Sequence, residues 1–198
     1  MATREFSIDN FMSRVDNLGG IAKRNRFSVE VTPPKSMQKK ELADSINFLA
    51  KAVSFPAKTL AMTEYRYGGK FSLSVPYEIT LEPVTINVMN TGNQAPRIFW
   101  NQWFNHIQNF TTYNMEYYEN FVGTVSLHQY SSTEEFIDPS KSSYHVTLHE
   151  AFPKGMSAIE AGWENGEFQD FDIDIQYSWW TMSGETDSKG KRIGTTNP

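Results

Sequence analysis

The sequence predicts a mainly β protein: a β-sandwich or barrel of antiparallel strands with a flanking α-helix and a long hairpin. Aromatic residues make up 14% of the 198 residues, which is typical of half-buried strands. Short segments with apolar residues at alternate positions are separated by glycine and proline, and one segment has strong helical periodicity. The length suits a single domain, expected over residues 1–181, followed by a polar C-terminal extension at 182–198.

Composition and charge exclude several classes of function. The formal net charge of −5 argues against the basic surface of a general nucleic-acid binder. The absence of cysteine excludes disulfides, thiolate metal sites and cysteine nucleophiles. The sequence has no run of 18 apolar residues and no N-terminal apolar segment of signal-peptide length. We therefore expect no membrane insertion and a protein retained in the cytoplasm where it is made.

Three helices are predicted. Ile8, Phe11 and Val15 share one helical face, which favours an N-terminal helix at about 8–18. A second helix is expected at about 40–52. The main helix, about 96–109, begins with a proline suited to a first turn. Its broad apolar stripe is typical of a buried face and consists of Phe99, Trp100, Trp103, Phe104 and Ile107.

Several strands follow from alternation of apolar and polar residues. "RFSVEV" predicts a first strand, and "FVGTVSLHQY" and "YHVTLHE" predict two later ones. In "YEITLEPVTINVM" the apolar positions shift by one residue, which predicts a bend at Glu82-Pro83. Asn165-Gly166 predicts a turn into the last strand, "FQDFDIDIQYSWW".

A hairpin is expected over residues 59–75, because Gly68-Gly69 allows the positive φ angles of a two-residue turn. Pairing Tyr67 with Lys70 places Tyr65 with Ser72 on one face, and Phe71 and Leu73 with Glu64 and Arg66 on the other. Both faces are then mixed, so we expect the hairpin to be stable only when a neighbouring subunit covers it or extends its sheet. The candidate subunit-contact residues are Tyr65, Tyr67, Gly68, Gly69, Phe71 and Leu73.

The last strand carries a row of three carboxylates, Asp170, Asp172 and Asp174, opposite its apolar residues. They lie ~6.7 Å apart in succession and diverge from one strand face, whereas calcium needs converging oxygens. His145 and His149 lie ~13 Å apart on one face, too far to share an ion. No hydrolase, kinase or dinucleotide-binding motif is present. We expect no enzyme activity, metal or cofactor, although a carboxylate pair across a sugar cleft stays open.

Six segments, in this order along the chain, form a pattern that can be compared with known families: "RNRFSVEV", "AVSFPAKTLAMTEYRYGG", "EPVTINVMN", "RIFWNQWFNHI", "HVTLHEAFPKGMSAI" and "NGEFQDFDIDIQYSWW". No single segment is diagnostic. The ordered set, over about residues 24–180, resembles the tail tube protein family of contractile-tailed bacteriophages.

The resemblance implies a structural subunit of the inner tail tube, which stacks as six-fold rings with a shared inner β-barrel and forms the conduit for DNA ejection. It implies tail sheath and baseplate proteins as partners, DNA that passes without specific binding, and a location in the virion after assembly in the host bacterial cytoplasm. The baseplate ring protein that initiates the tube is the alternative, because residues 33–52 resemble an insertion. A carbohydrate-binding β-sandwich is the alternative of another class.

The resemblance also gives the acidic row a possible role. If Asp170, Asp172 and Asp174 line the lumen of such a tube, they repel phosphates within the ~8 Å screening length of physiological salt. The opposite orientation, toward solvent or a sheath protein, is equally compatible with the sequence.

Overall fold

The fold is seen in a computed structural model that describes residues 7–17, 20–37, 47–66, 68–69, 71–131, 142–159, 161–163, 166 and 168–182. Its elements in chain order are α1 (Ile8–Asn17), β1 (Phe27–Thr32), β2 (Ala50–Val53), β3 (Lys58–Tyr65), β4 (Leu73–Leu81), β5 (Val84–Met89), α2 (Ala95–Ile107), α3 (Tyr118–Phe121), β6 (Gly123–Gln129), β7 (Tyr144–Met156), β8 (Asp170–Gln176) and β9 (Trp179–Met182).

The strands form a seven-stranded antiparallel sheet in the order β1-β6-β7-β8-β5-β2, with β9 added beside β7. Strand β7 is long enough to serve two parts of this sheet: its first half pairs with β6 and β9, and its second half pairs with β8. Glu150, between the halves, has a φ of 54°. The left-handed backbone conformation of Glu150 lets the strand change direction at this point. Strands β3 and β4 form a separate two-stranded sheet. The predicted mainly β, antiparallel fold with a flanking helix is confirmed.

The core lies between the inner face of the sheet and helix α2. Alternate residues of β1, β5, β6, β7 and β8 are buried, as the period of two requires. The rings of Trp100 and Trp103 stack with centroids 5.6 Å apart, and Phe99 meets both edge-on. Trp103 Nε1 donates a hydrogen bond to the carbonyl oxygen of Phe121. The predicted aromatic stripe is therefore confirmed, although α2 ends at Ile107.

Most of the local predictions agree with the structure. Helix α1 covers nearly all of the predicted first helix, and β1 has Val29 and Val31 buried on one side. The bend at Glu82-Pro83 is confirmed, because the chain leaves the hairpin at Leu81 and enters the main sheet at Val84. None of the described helices is long and apolar enough to cross a membrane.

Two predicted elements are corrected. Residues 47–49 are helical, but the expected helix does not reach residue 52, because Ala50–Val53 pairs with β5 as strand β2. Long-range strand pairing here overrides the helical spacing of apolar residues. The last strand is also divided: β8 ends at Gln176, and β9 begins at Trp179 and pairs with β7.

Other predictions fall on residues outside the described part of the chain. These include residues 40–46 of the second helix, Asn165 of the expected turn and most of the C-terminal extension. The first residue of that extension, Met182, belongs to β9. The domain boundary therefore remains a prediction.

We predict that Gly123→Ala destabilises the fold by about 1–3 kcal/mol. A Cβ atom at this position would lie 2.4 Å from the carbonyl oxygen of Thr32 and 2.9 Å from the Trp103 ring. Urea unfolding measures the loss. Gly92→Ala is the matched control, because no atom lies within 4 Å of its added methyl group. Equal stability of the two variants would contradict this account of the packing.

Candidate functional site

The hairpin formed by β3 and β4 lies off the main sheet, and its two strands pair only with each other. Every residue of β4 except Leu81 is exposed, and so are most residues of β3. Phe71, in the connection between the strands, is 89% exposed. The exposed apolar residues of the hairpin are Leu60, Met62, Tyr65, Phe71, Leu73, Val75, Tyr77 and Ile79. An apolar surface of this extent indicates an interaction site.

The register of the hairpin differs from the predicted one. The expected pairing of Tyr67 with Lys70 would place Tyr65 opposite Ser72, but the structure places Tyr65 opposite Leu73. The connection is longer than a two-residue turn, and a shift of one residue moves side chains to the other face. Gly68 has the expected positive φ of 76°. Tyr67 and Lys70 themselves lie outside the described residues.

The corrected register gathers apolar residues of the tip on one face. Tyr65 and Leu73 are direct neighbours, and Thr63 and Val75 form the next pair on the same face. Glu64 faces Ser74 on the opposite side. The expected mixture of Leu73 with Glu64 on one face is therefore wrong. The tip therefore has a largely apolar face on which Tyr65, Leu73 and Val75 are exposed.

The base of the hairpin is anchored to the body of the protein. Leu81 packs against the hydrophobic core. The ammonium group of Lys58 lies 4.1 Å from the ring centroid of Trp180, a cation–π contact. The hairpin therefore leaves the body in a defined direction.

The three aspartates of the acidic row lie on the outward face of β8, and Phe171, Ile173 and Ile175 fill the core on the other face. This confirms the predicted division of the strand into an apolar and a carboxylate face. Strand β5, which pairs with β8, and strand β2 beyond it supply a donor to each carboxylate. Lys51 lies 2.5 Å from Asp170, Asn87 donates to Asp172 at 2.7 Å, and Thr85 donates to Asp174 at 2.7 Å.

These donors determine the charge of the face. Lys51 compensates Asp170, whereas the donors to Asp172 and Asp174 are neutral. Among the described residues, no cation therefore pairs with the last two carboxylates, which lie on an ordered surface. Sequence reasoning missed the donors. The signal for two of them was present, because Thr85 and Asn87 alternate with the buried residues of β5.

The histidines do not form a metal site. His145 pairs across the sheet with His128, with ring centroids 5.8 Å apart, rather than with His149. His149 instead stacks on Trp179 with centroids 3.7 Å apart, and its Nε2 lies 3.0 Å from the hydroxyl of Thr181. Within the described ranges, no three side chains of the metal-ligating types come together.

Burial lowers the pKa of two of these histidines. For His128 the main cause is desolvation, helped by His145 and opposed by the carboxylate of Glu30, whose Oε2 lies 3.9 Å away. For His149 desolvation lowers the pKa, and Glu150 opposes it. In both rings burial therefore disfavours the protonated form.

The main sheet has open edges at β1 and β2, the two ends of its strand order. A cleft lies between these edges, lined by apolar side chains that include Phe27, Val53 and Phe55 and by the cations Arg24 and Lys51. An edge strand offers unpaired backbone donors and acceptors to another chain. The edges are therefore a second candidate contact surface.

A third exposed surface, the aromatic loop, spans residues 109–117 between α2 and α3. Its bulky apolar residues are exposed by 65–82%: Phe110, Tyr113, Met115 and Tyr117. Sequence reasoning missed this loop, because its apolar residues follow neither the helical nor the strand period.

Residues 22–183 match the family model described as phage tail tube protein. No curated protein is similar enough in sequence to be matched.

Several solved structures share the fold. One is the sheath–tube complex of an extracellular contractile injection system (PVC) in the extended state, with 13% identity, a TM-score of 0.59 and coverage of 90% of this chain and 98% of that chain. Another, from the same kind of system, is the sheath/tube terminator, with 15% identity, a TM-score of 0.58 and coverage of 82% and 96%. A third is from the anti-feeding prophage baseplate, with 11% identity, a TM-score of 0.61 and coverage of 82% and 95%.

We predict that stability falls when the pH is lowered from about 7.5 to about 5.5. The folded pKa values of His128 and His149 lie below that of an unfolded histidine. The unfolded chain then binds more protons in this window, and acidification favours unfolding. Urea midpoints across the window measure the slope. In His128→Gln/His149→Gln the slope should be smaller, and an unchanged slope would contradict the assignment.

Proposed function

This chain belongs to the phage tail tube protein family, and on that premise we propose that it is a ring-forming subunit of the inner tube of a contractile phage tail. The proteins of this family are structural tube proteins rather than enzymes, so the expectation of no enzyme activity is confirmed. The observation that carries the finer proposal is the hairpin, which exposes apolar side chains on both faces while its base is fixed to the body.

In the proposed ring, six copies join edge to edge. The outer edges of β1 and β2 pair with no further strand among the described residues, although the N–H of Val31 is already bonded to the side chain of Asn47, and the hairpin provides an apolar surface for a neighbour. Joining these edges hides the groups that otherwise invite aggregation and extends the sheets into a shared barrel. Stacked rings then form the tube, with sheath and baseplate proteins as partners in the virion.

The acidic row is proposed to line the lumen, through which DNA passes without specific binding. In the described part of the chain two of its carboxylates have neutral partners only, and Asn87 and Thr85 hold them in place. An ordered negative wall repels phosphates at short range, and the neutral donors do not attract them. DNA would then pass through the lumen without its phosphates binding to the wall.

The baseplate ring protein that initiates the tube is the second candidate. It is favoured by residues that precede the family match, including the described helix α1, whose residues are all exposed or half-buried. Such an additional element suits a ring that must also bind a different protein below it. Negative-stain microscopy of the purified chain distinguishes the two, because a tube subunit forms long tubes and an initiator forms single rings. Family membership disfavours the third alternative, a carbohydrate-binding module.

We predict that Phe71→Ser/Leu73→Ser yields folded protein that no longer assembles. These side chains are 89% and 56% exposed, so the monomer loses little stability, whereas the contact with a neighbour loses its apolar centre. Light scattering and microscopy measure assembly, and thermal unfolding measures the fold. Ile8→Ser/Met12→Ser on α1 is the matched control. Rings or tubes at the wild-type concentration would overturn the proposed role of the hairpin.

We predict that Asp172→Asn/Asp174→Asn leaves assembly intact but slows DNA release from virions. Asparagine retains an oxygen acceptor for Asn87 and Thr85, while the wall loses its repulsive charge. Lysine at the same positions should slow release further, because a basic wall binds phosphates. The measurement is the rate of DNA release from purified particles. Unchanged release with lysine would exclude a lumen position.

A further inference from the structure

The aromatic loop is ordered by its own hydrogen bonds rather than by burial. The side-chain oxygen of Asn109 accepts the backbone N–H groups of Thr111 and Thr112, at 2.8 and 3.2 Å. Its carbonyl oxygen accepts the N–H of Tyr113 at 2.7 Å. Beyond the turn, the N–H of Glu116 donates to the carbonyl oxygen of Ile107. These bonds order the backbone of the loop, and its apolar side chains project outward into solvent.

Both ends of the loop are attached to the body. Helix α2 precedes it, with its tryptophans in the core. On the other side, the Tyr118 hydroxyl donates to the carboxylate of Glu150 and lies 2.7 Å from the hydroxyl of Ser178. The ring of Tyr118 also meets Phe121 and Phe152 edge-on. The loop is therefore a rigid projection of the body, which lowers the entropy lost when a partner binds.

The backbone of the loop contains a residue in an unfavourable conformation. Tyr113 has a φ of 57°, in the left-handed region that bulky residues rarely adopt. Its ring gains no burial in return, because the residue is 75% exposed. Strain of this kind persists where function requires it. The loop therefore carries a cost in the free subunit that a contact in the assembly can offset.

The hairpin tip and the surface around the aromatic loop carry opposite excess charge. At the tip the exposed Glu64 is followed in the sequence by two cations, Arg66 and Lys70, whereas the charged residues of the loop and of the adjoining helix α3 are two acids, Glu116 and Glu119. Each surface also exposes large apolar side chains: Phe71 is 89% exposed and Tyr117 is 82% exposed. These exposures show that neither is covered by its own chain.

We propose that the aromatic loop of one subunit is the receptor for the hairpin tip of a neighbouring copy. The tip inserts Phe71 and Leu73 among the loop aromatics, and Arg66 lies beside Glu119. The proposal rests on the proposed ring-forming function and adds the surface that the hairpin recognises. The paired part of the hairpin, Lys58–Tyr65, extends ~25 Å from its base, so its tip can reach beyond its own body to a second copy.

A reciprocal charge exchange in the full-length protein tests the pairing. Glu119→Lys and Arg66→Glu should each raise the concentration of half-assembly by about tenfold, because each places like charges together. The combined variant restores the pair with its sign reversed and should assemble near the wild-type concentration. Glu116 is left in place because its carboxylate accepts the Asn120 amide and helps to hold the loop. Asp16→Lys, an exposed site on α1, is the control for the added charge.

Tyr113→Asn separates assembly from folding. Asparagine adopts a left-handed φ more readily than tyrosine, so thermal stability should stay equal or rise, while the loss of the ring weakens assembly. Higher or equal stability with impaired rings supports the proposal, whereas normal rings would overturn it.

Other outcomes of these experiments distinguish a failure of the proposed receptor from a failure of the proposed ring-forming function. If Phe71→Ser/Leu73→Ser blocks rings but the loop variants assemble normally, the hairpin function stands and this receptor is wrong. Loss of assembly without rescue by the charge exchange also overturns the pairing, because the two surfaces then act separately. Normal rings that fail to bind sheath protein would assign the loop to that partner instead.

Discussion

The packing of helix α2 against the inner face of the sheet is the constraint on which the rest of the structure depends. The stacked rings of Trp100 and Trp103 fill the space that strands alone would leave empty, and Trp103 reaches the backbone at Phe121. At Gly123 the strand comes so close that no Cβ fits. Because the inner face of the sheet is satisfied in this way, its outer face is free to carry polar and charged groups.

The pattern of apolar and polar residues within a segment was enough to predict those elements that depend mainly on that segment. Helix α2, the bend at Glu82-Pro83 and the two faces of β8 all follow from periodicity and proline chemistry. Strand β2 and the break after Gln176 could not be predicted, because they depend on partners far away in the sequence. The register of the hairpin was also not predictable, because both of its faces are exposed and its hydrophobic pattern does not select one pairing.

The candidate surfaces also differ in how far the local sequence pattern predicts them. The acidic row was visible because alternation along one strand shows it, but its donors come from β2 and β5 and needed the sheet order. The aromatic loop left no periodic signal, because hydrogen bonds to Asn109, rather than burial, determine its shape. The surfaces proposed for contact between subunits are those in which exposed apolar residues conflict with a monomeric fold.

The exposed hairpin has a thermal consequence for the proposed assembly. Covering its apolar side chains removes hydrocarbon surface from water, and this burial carries a negative heat-capacity change. Near room temperature such association is driven by entropy and weakens on cooling. Rings held together largely by this surface would loosen in the cold and re-form on warming.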